Sequence, residues 1–557
     1  TDAGGRFERV ADGEYVYTFG VKAPASIDRK ATHSIGLYSS RVLTEFDLGT
    51  QFSDHVFHFV PDGTAVATVR NVVNTSSCNK CHDPLSAHGG ARQSVELCVM
   101  CHTPQTTDPD TGNTVDFPVM VHKIHQGAGL PSVVAGGKYQ IIGFGQSVND
   151  YSTVRFPADA RNCTFCHEQG TGNNAAKQQT AFLKPSRAAC GSCHDNVNFA
   201  TGANHADLPQ VSDNQCATCH VPQGELEFDV SIFGAHTIPT KSQSLPGTVF
   251  EMVRVDDGAA GKRPTVTFRV KDKAGKPILP SEMTRLALIL AGPTSDYASY
   301  VSENALTATG DAASGTFFWT FANAIPADAK GTFSVGIEGY RNIRLLEGTR
   351  KEQTVRDTGA NRVIHFAVDG GRVQPRRAVV SIAKCNSCHS ALSLHGGNRN
   401  QIEQCVLCHN PGQTDTGNRP AALRPAESVD FRSMIHKIHT GEELGIEFTI
   451  YGNGASKNDF TEVRFPGDRR NCDTCHINGS EQLPLSPDLL DVAQPRGFGK
   501  STGPTSIGPV TAACTGCHTS LDAAAHALVN TSPLLGESCR TCHGPAAEFS
   551  VDRVHAR

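Results

Sequence analysis

Between residues 241 and 376 apolar and polar positions alternate with a period of two, most clearly in Thr265-Val-Thr-Phe-Arg-Val270 and Thr316-Phe-Phe-Trp-Thr-Phe321. That alternation turns one face of a strand to a core and the other to water. Turn signals at Asp256-Asp257-Gly258 and Asp369-Gly370 separate the runs, so the segment predicts an antiparallel β domain, a sandwich or barrel. Its longest strongly apolar stretch, Leu286 to Ala291, is far too short to span a membrane. On either side the pattern fades. Long amphipathic runs are few there, and short helices joined by long loops are expected.

The first 77 residues repeat the later half of that β segment. Gly13-Glu-Tyr-Val-Tyr-Thr-Phe19 matches Gly315 to Phe321, Ser34-Ile-Gly-Leu matches Ser334-Val-Gly-Ile, and His58-Phe-Val-Pro-Asp-Gly63 matches His365 to Gly370. About seventy strand-rich residues precede the match in the second copy and about twelve in the first. Half a β domain with missing partner strands is therefore expected. Its open edge would pack on a neighbouring chain or haem domain, or be completed by residues upstream.

The polar flanks carry the chemistry. All 20 cysteines lie in ten Cys-x-x-Cys-His pentapeptides, the attachment signature of c-type haem. The thiol pairs are Cys78 and Cys81, Cys98 and Cys101, Cys163 and Cys166, Cys190 and Cys193, and Cys216 and Cys219 in one block. Cys385 and Cys388, Cys405 and Cys408, Cys472 and Cys475, Cys514 and Cys517, and Cys539 and Cys542 form the other. The histidines that follow, His82, His102, His167, His194, His220, His389, His409, His476, His518 and His543, supply one axial iron ligand each. Zinc also uses Cys-x-x-Cys, but it does not require a histidine directly after the second thiol.

The two blocks are copies. Met120-Val-His-Lys-Ile-His125 matches Met434-Ile-His-Lys-Ile-His439, and Val154-Arg-Phe-Pro matches Val463-Arg-Phe-Pro. The chain thus divides into a partial β domain at 1–77, a pentahaem domain at 78–240, a β domain at 241–376 and a second pentahaem domain at 377–557. The repeat also sorts the remaining histidines. His88 pairs with His395, His122 with His436, His125 with His439, His205 with His526 and His236 with His555, which gives one second ligand for each of ten irons. His58 and His365 are matched but sit in β segments, where a structural hydrogen bond is expected. His33 and His55 face Phe333 and Arg362 in the other copy and read as surface residues.

Two histidines on every iron leave no position for substrate, and no Cys-x-x-Cys-Lys variant is present. Catalytic residues are therefore not expected, beyond non-specific metal or flavin reductase activity. Such iron suits outer-sphere electron transfer. With 53 glycines, 30 prolines and 38% apolar residues, the chain relies on porphyrin to fill its interior. A net charge of −5 argues against nucleic acid as partner. With no cysteine left over, disulfides are not expected. Haem attachment occurs outside the cytoplasmic membrane, and Thr1-Asp2-Ala3-Gly4-Gly5 is no signal peptide, so an exported protein whose leader has been removed or lies outside this sequence is expected. Asp108-Pro-Asp110-Thr-Gly112-Asn-Thr-Val-Asp116 has part of a calcium-loop spacing, and a solvated turn is the reading preferred over bound calcium.

Leu-Ser-Ala-His88-Gly-Gly, Leu-Ser-Leu-His395-Gly-Gly and the two His-Lys-Ile-His elements make this chain resemble the extracellular decahaem cytochromes grouped as OmcA/MtrC. The resemblance implies β and pentahaem domains in alternation and an electron conduit at the outer surface of the outer membrane. The implied partners are outer-membrane or periplasmic donor cytochromes, and the implied acceptors are ferric iron, flavins or electrodes. Two alternatives remain open: a subunit of a cytochrome filament whose neighbouring copies pass electrons on, and a multihaem reductase with one open haem.

Overall fold

The computed structural model describes residues 2, 4–46, 48–168, 176–496 and 505–556, and every cysteine and histidine named above lies among them. Strands β1 (Arg6–Ala11) and β2 (Glu14–Thr18) form a hairpin, and β3 (His33–Val42) pairs along its whole length with β4 (Thr50–Phe59). A small hairpin, β5 (Gln140–Ile142) and β6 (Val148–Asp150), belongs to the first thiol-rich block.

The alternating segment folds as two packed antiparallel sheets. One contains β7 (Val249–Asp256), β8 (Thr265–Lys271), β11 (Thr309–Asp311) and β12 (Thr316–Thr320), in the order β11-β12-β8-β7. The other contains β9 (Arg285–Gly292), β10 (Ser299–Asn304), β13 (Thr332–Leu345), β14 (Gln353–Thr358) and β15 (Arg362–Ala367), with β13 bonded to β9, β14 and β15. Phe250, Val266, Phe268 and Phe317 from the first sheet meet Leu286, Leu288, Val335 and Ile337 from the second. This is the sandwich that the period-two pattern implies, with one apolar face per sheet.

The N-terminal strands repeat one part of that sandwich without the rest. Tyr15 is 57% exposed and its counterpart Phe317 3%; Leu37 is 57% exposed and its counterpart Ile337 0%. In the sandwich, β8 and β9 lie beside the equivalent strands β12 and β13. Among the described residues 1–77, β1 pairs with β2 and β3 with β4, and no further strand joins either pair. The opposite face is occupied in both copies. Gly36 abuts Leu97, and Gly336 abuts Gln404 and Leu407, so at both positions a side chain would collide with the helix that carries the second Cys-x-x-Cys-His of its block.

The first thiol-rich block has little apolar core of its own; the second has more, around Leu407, Phe448 and Val492. Among the described residues of 78–240, the buried hydrophobic residues are Val95, Leu97, Val119, Leu130, Tyr139 and Ala176. Polar staples hold their loops. The Asp108 carboxylate accepts from the Ile142 N–H (2.8 Å), the Asp110 N–H (2.9 Å) and the Thr111 hydroxyl (2.6 Å). Its counterpart Asp415 accepts from the Tyr451 N–H (3.0 Å) and from buried Arg419. Donors from the chain therefore fill the carboxylate that the loop spacing offers to a cation.

Asp296 joins the sandwich to the second block. It is 1% exposed and is met by Arg432 (2.8 Å), Arg377 (3.2 Å) and the Leu490 N–H (3.1 Å). Burial raises its pKa, but Arg432 and Arg377 outweigh that effect and hold it below the ordinary carboxylate value. A depressed carboxylate pKa contributes stability above the unfolded value and loses it as pH falls through the folded one. Asp296→Ala leaves partly buried cations unmatched and is expected to cost about 3 kcal/mol. Chemical denaturation at pH 7 and pH 3 checks this: the deficit of the variant should shrink at pH 3.

Candidate functional site: paired histidines beside thiol turns

Each Cys-x-x-Cys-His segment closes one helical turn. The histidine N–H donates to the carbonyl of the first cysteine, for example His82 to Cys78 (3.1 Å), His167 to Cys163 (2.9 Å) and His543 to Cys539 (2.9 Å). That turn places both thiols and the histidine at i, i+3 and i+4, on one face. All 20 thiols are free of disulfides. Burial pushes the Cys78, Cys405 and Cys408 thiols up to about 12. Among the described residues no group of three or more His, Cys, Asp or Glu side chains converges as a metal cage.

Opposite every motif histidine stands a second histidine ring. His82 faces His125, His102 faces His88, His167 faces His122, His194 faces His236 and His220 faces His205. In the second block His389 faces His439, His409 faces His395, His476 faces His436, His518 faces His555 and His543 faces His526. The centroid separations run from 5.8 to 6.2 Å. Two metal–imidazole bonds of about 2 Å, with about 1.1 Å from each nitrogen to its ring centre, sum to about 6.2 Å. The gaps fit one six-coordinate iron apiece.

The pairing is not by nearness in sequence. His88 lies six residues after His82 yet faces His102. His122 and His125 share the helix Phe117–Gln126 and serve different motifs, as do His436 and His439 on Phe431–Thr440. Both helices start with an Asp at the N-cap, and both end in glycine at positive φ, Gly127 and Gly441. A side chain at either glycine would strike the carbonyl of Val154 or Val463, from the repeated Val-Arg-Phe-Pro elements.

Carbonyls orient the rings. Nδ1–H donates to main-chain oxygen in His102 (Val115, 2.9 Å), His125 (Val121, 2.8 Å), His220 (Val230, 2.8 Å) and His236 (Ile232, 2.7 Å). The counterparts His409, His439, His543 and His555 do the same at 2.8–2.9 Å. This fixes the tautomer and leaves Nε2 as the free base. Burial first and the facing histidine second push His82, His122 and His436 down to about 4, so these rings stay neutral.

The four remaining histidines face no other histidine among the described residues. His58 and His365 each meet a serine hydroxyl of the neighbouring strand, Ser34 and Ser334, at 2.8 Å. His33 bonds the Asp28 carbonyl at 2.7 Å.

The two blocks touch through their first motifs, reciprocally. Cys388 Sγ lies 3.3 Å from the Lys80 carbonyl, and Cys81 Sγ lies 4.0 Å from the Ser387 carbonyl. Asn162 donates to Ser390 (3.1 Å), and its counterpart Asn471 donates to Asp83, the counterpart of Ser390. The Pro466 carbonyl faces the His82 ring and the Pro157 carbonyl the His389 ring, and each slightly offsets the lowering of that imidazole's pKa by burial. Each block thus sets a carbonyl beside a motif histidine of the other. Sequence reading found the Val-Arg-Phe-Pro element as a mark of repetition and gave it no role, because a carbonyl acting across domains leaves no residue-type signal.

Comparison with known proteins agrees with this geometry. The chain is similar to the multihaem cytochrome MtrC of Shewanella baltica (strain OS185), 24% identical over 612 aligned positions that cover 97% of this chain and 80% of that protein. Its fold is similar to the crystal structure of the outer membrane decahaem cytochrome OmcA, with TM-score 0.70, 22% identity and coverage of 99% of this chain and 84% of that one. It is also similar to the crystal structure of MtrC from Shewanella baltica OS185, with TM-score 0.65, 20% identity and coverage of 97% and 86%. The family profile described as outer membrane cytochrome MtrC/MtrF-like, domains II/IV, matches residues 70–231 and 377–556, the two blocks of thiol turns and paired histidines, and the chain belongs to that family.

Proposed function

We propose that the chain holds ten c-type haems, one in each gap between paired histidines, and passes electrons through them to acceptors outside the cell. The observation that carries this reading is the ten-for-ten pairing of motif and matched histidines at 5.8–6.2 Å. Bound haem supplies a one-electron ferric/ferrous couple. The chain would do the rest: the two thiols of each motif would tether one porphyrin, each pair of facing imidazoles would hold its iron, and carbonyls fix the tautomer of many of those imidazoles. A site closed on both sides gives substrate no place to bind, which favours transfer over turnover and disfavours the reductase alternative.

The reciprocal contact of the Cys81 and Cys388 motifs supports one continuous route through both blocks. The reading places the protein at the cell surface, fed by outer-membrane or periplasmic cytochromes and emptied by ferric iron or flavins. No helix among the described residues is long and apolar enough to cross a membrane.

Two outcomes follow. The oxidised protein should give an electron paramagnetic resonance spectrum that is wholly low-spin, and His436→Ala should convert about one iron in ten to high spin while the fold persists. A high-spin component in the unmodified protein would contradict the closed sites. In stopped-flow mixing, reduced protein should be reoxidised within seconds by ferric citrate or flavin mononucleotide and left unchanged by nitrite. A nitrite-dependent turnover well above free haem would reveal an open iron and overturn the conduit reading.

A further inference from the structure

Glu338 has no exposed surface, yet it carries a carboxylate at the seam between β13 and the second block. It accepts from Arg399 (2.7 and 3.0 Å), Arg285 (2.8 Å), Asn398 (3.0 Å) and Gln404 (3.2 Å). Three of these donors bracket one haem site. Asn398 and Arg399 end the tight loop that begins at Leu394 and holds His395, closed by the Leu394 N–H to the Arg399 carbonyl (2.8 Å). Gln404 directly precedes Cys405 on the helix Ile402–Cys408. One buried anion therefore grips both the distal histidine loop and the covalent attachment helix of the site closed by His395 and His409.

The first copy solves the same contact differently. Tyr38 occupies the position of Glu338 and Arg92 that of Arg399, and the guanidinium stacks over the Tyr38 ring at 4.1 Å. The nearby carboxylate of that copy, Asp54, bonds the Gln93 and Ser94 N–H groups (2.8 Å each) at the start of the attachment helix. The second copy has Asn361 at the matching position. The repeat thus keeps the arginine and changes what faces it, a carboxylate in one copy and a phenol ring in the other.

We propose that Glu338 is a positioning residue that acts through Arg399 to set the charge felt at the His395/His409 haem site, holding its midpoint potential below the value that two unmatched arginines would impose. The proposal rests on the assignment of a haem to that histidine pair. Ferrous haem carries one positive charge fewer than ferric haem, so a nearby cation favours the reduced form and a nearby anion the oxidised form. At this seam Glu338 is fully buried and Arg399 mostly so, and their field is weakly screened, whereas Arg285 is partly open to solvent.

The test is redox titration of the full-length haem-loaded protein, with haem content from peptide mass and thermal unfolding as controls. Glu338→Gln keeps the shape and removes the charge. It should raise the ferrous-to-ferric ratio of one haem about tenfold at fixed potential, about 59 mV for a one-electron couple. Arg399→Gln should move the same haem by a similar amount in the opposite direction. If the second-copy variants fold poorly, Tyr38→Glu puts a carboxylate beside Arg92 and should lower the potential of the His88/His102 haem. Opposite shifts confirm a charge effect. Unchanged potentials, or shifts of one sign accompanied by earlier melting, overturn it and leave Glu338 a fold element. Absence of haem from Cys405 and Cys408 in the unmodified protein would instead overturn the underlying site assignment.

Discussion

About 6 Å between two facing imidazole rings is the spacing around which this molecule is organised. It requires two ring nitrogens to point at one another, which needs one tautomer, one rotamer and no proton on the inward atom. The chain meets those demands locally, with a helical turn at each thiol pair and a carbonyl on the outer nitrogen of nine of the twenty rings. Burial adds the last condition by disfavouring imidazolium. On the proposed reading the same arrangement explains the sparse apolar core of the first thiol-rich block, whose interior would be shaped around porphyrin discs.

The β segments play a different part. They present rigid faces to which a block can dock, and the close approach at Gly36 and Gly336 brings a strand against the attachment helix in both copies. Charge then distinguishes the copies. Asp296 and Glu338 are buried anions that bind the sandwich to the second block through arginines. The first copy has no sandwich at that position, and its strands keep one apolar face uncovered. Two blocks built alike are thus mounted unlike, which gives equivalent histidine pairs different surroundings.

Much of this was legible in the chain because its signals are local or repeated. Ten pentapeptides announced the attachment turns, and the duplication picked His88, His122, His125, His205 and His236 out of the unassigned histidines. Period-two alternation gave the sandwich. Which histidine faces which motif was not legible, since His122 and His125 sit three residues apart and face different motif histidines. Main-chain acceptors such as Pro466 were equally hidden, because every residue has a carbonyl. Glu338 was missed for another reason: an acidic residue in a strand reads as solvent-facing until the arginines that surround it are seen to come from elsewhere.

Diffraction recorded at and below the iron absorption edge, from crystals of the haem-loaded protein, tests the central claim most directly. The anomalous difference map should show ten iron peaks, each midway between one of the ten histidine pairs named above. The peaks beside His82 and His389 should be the closest pair that joins the two blocks. An iron lacking its assigned second histidine, or one bound by a different histidine, would contradict the pairing and the conduit built on it.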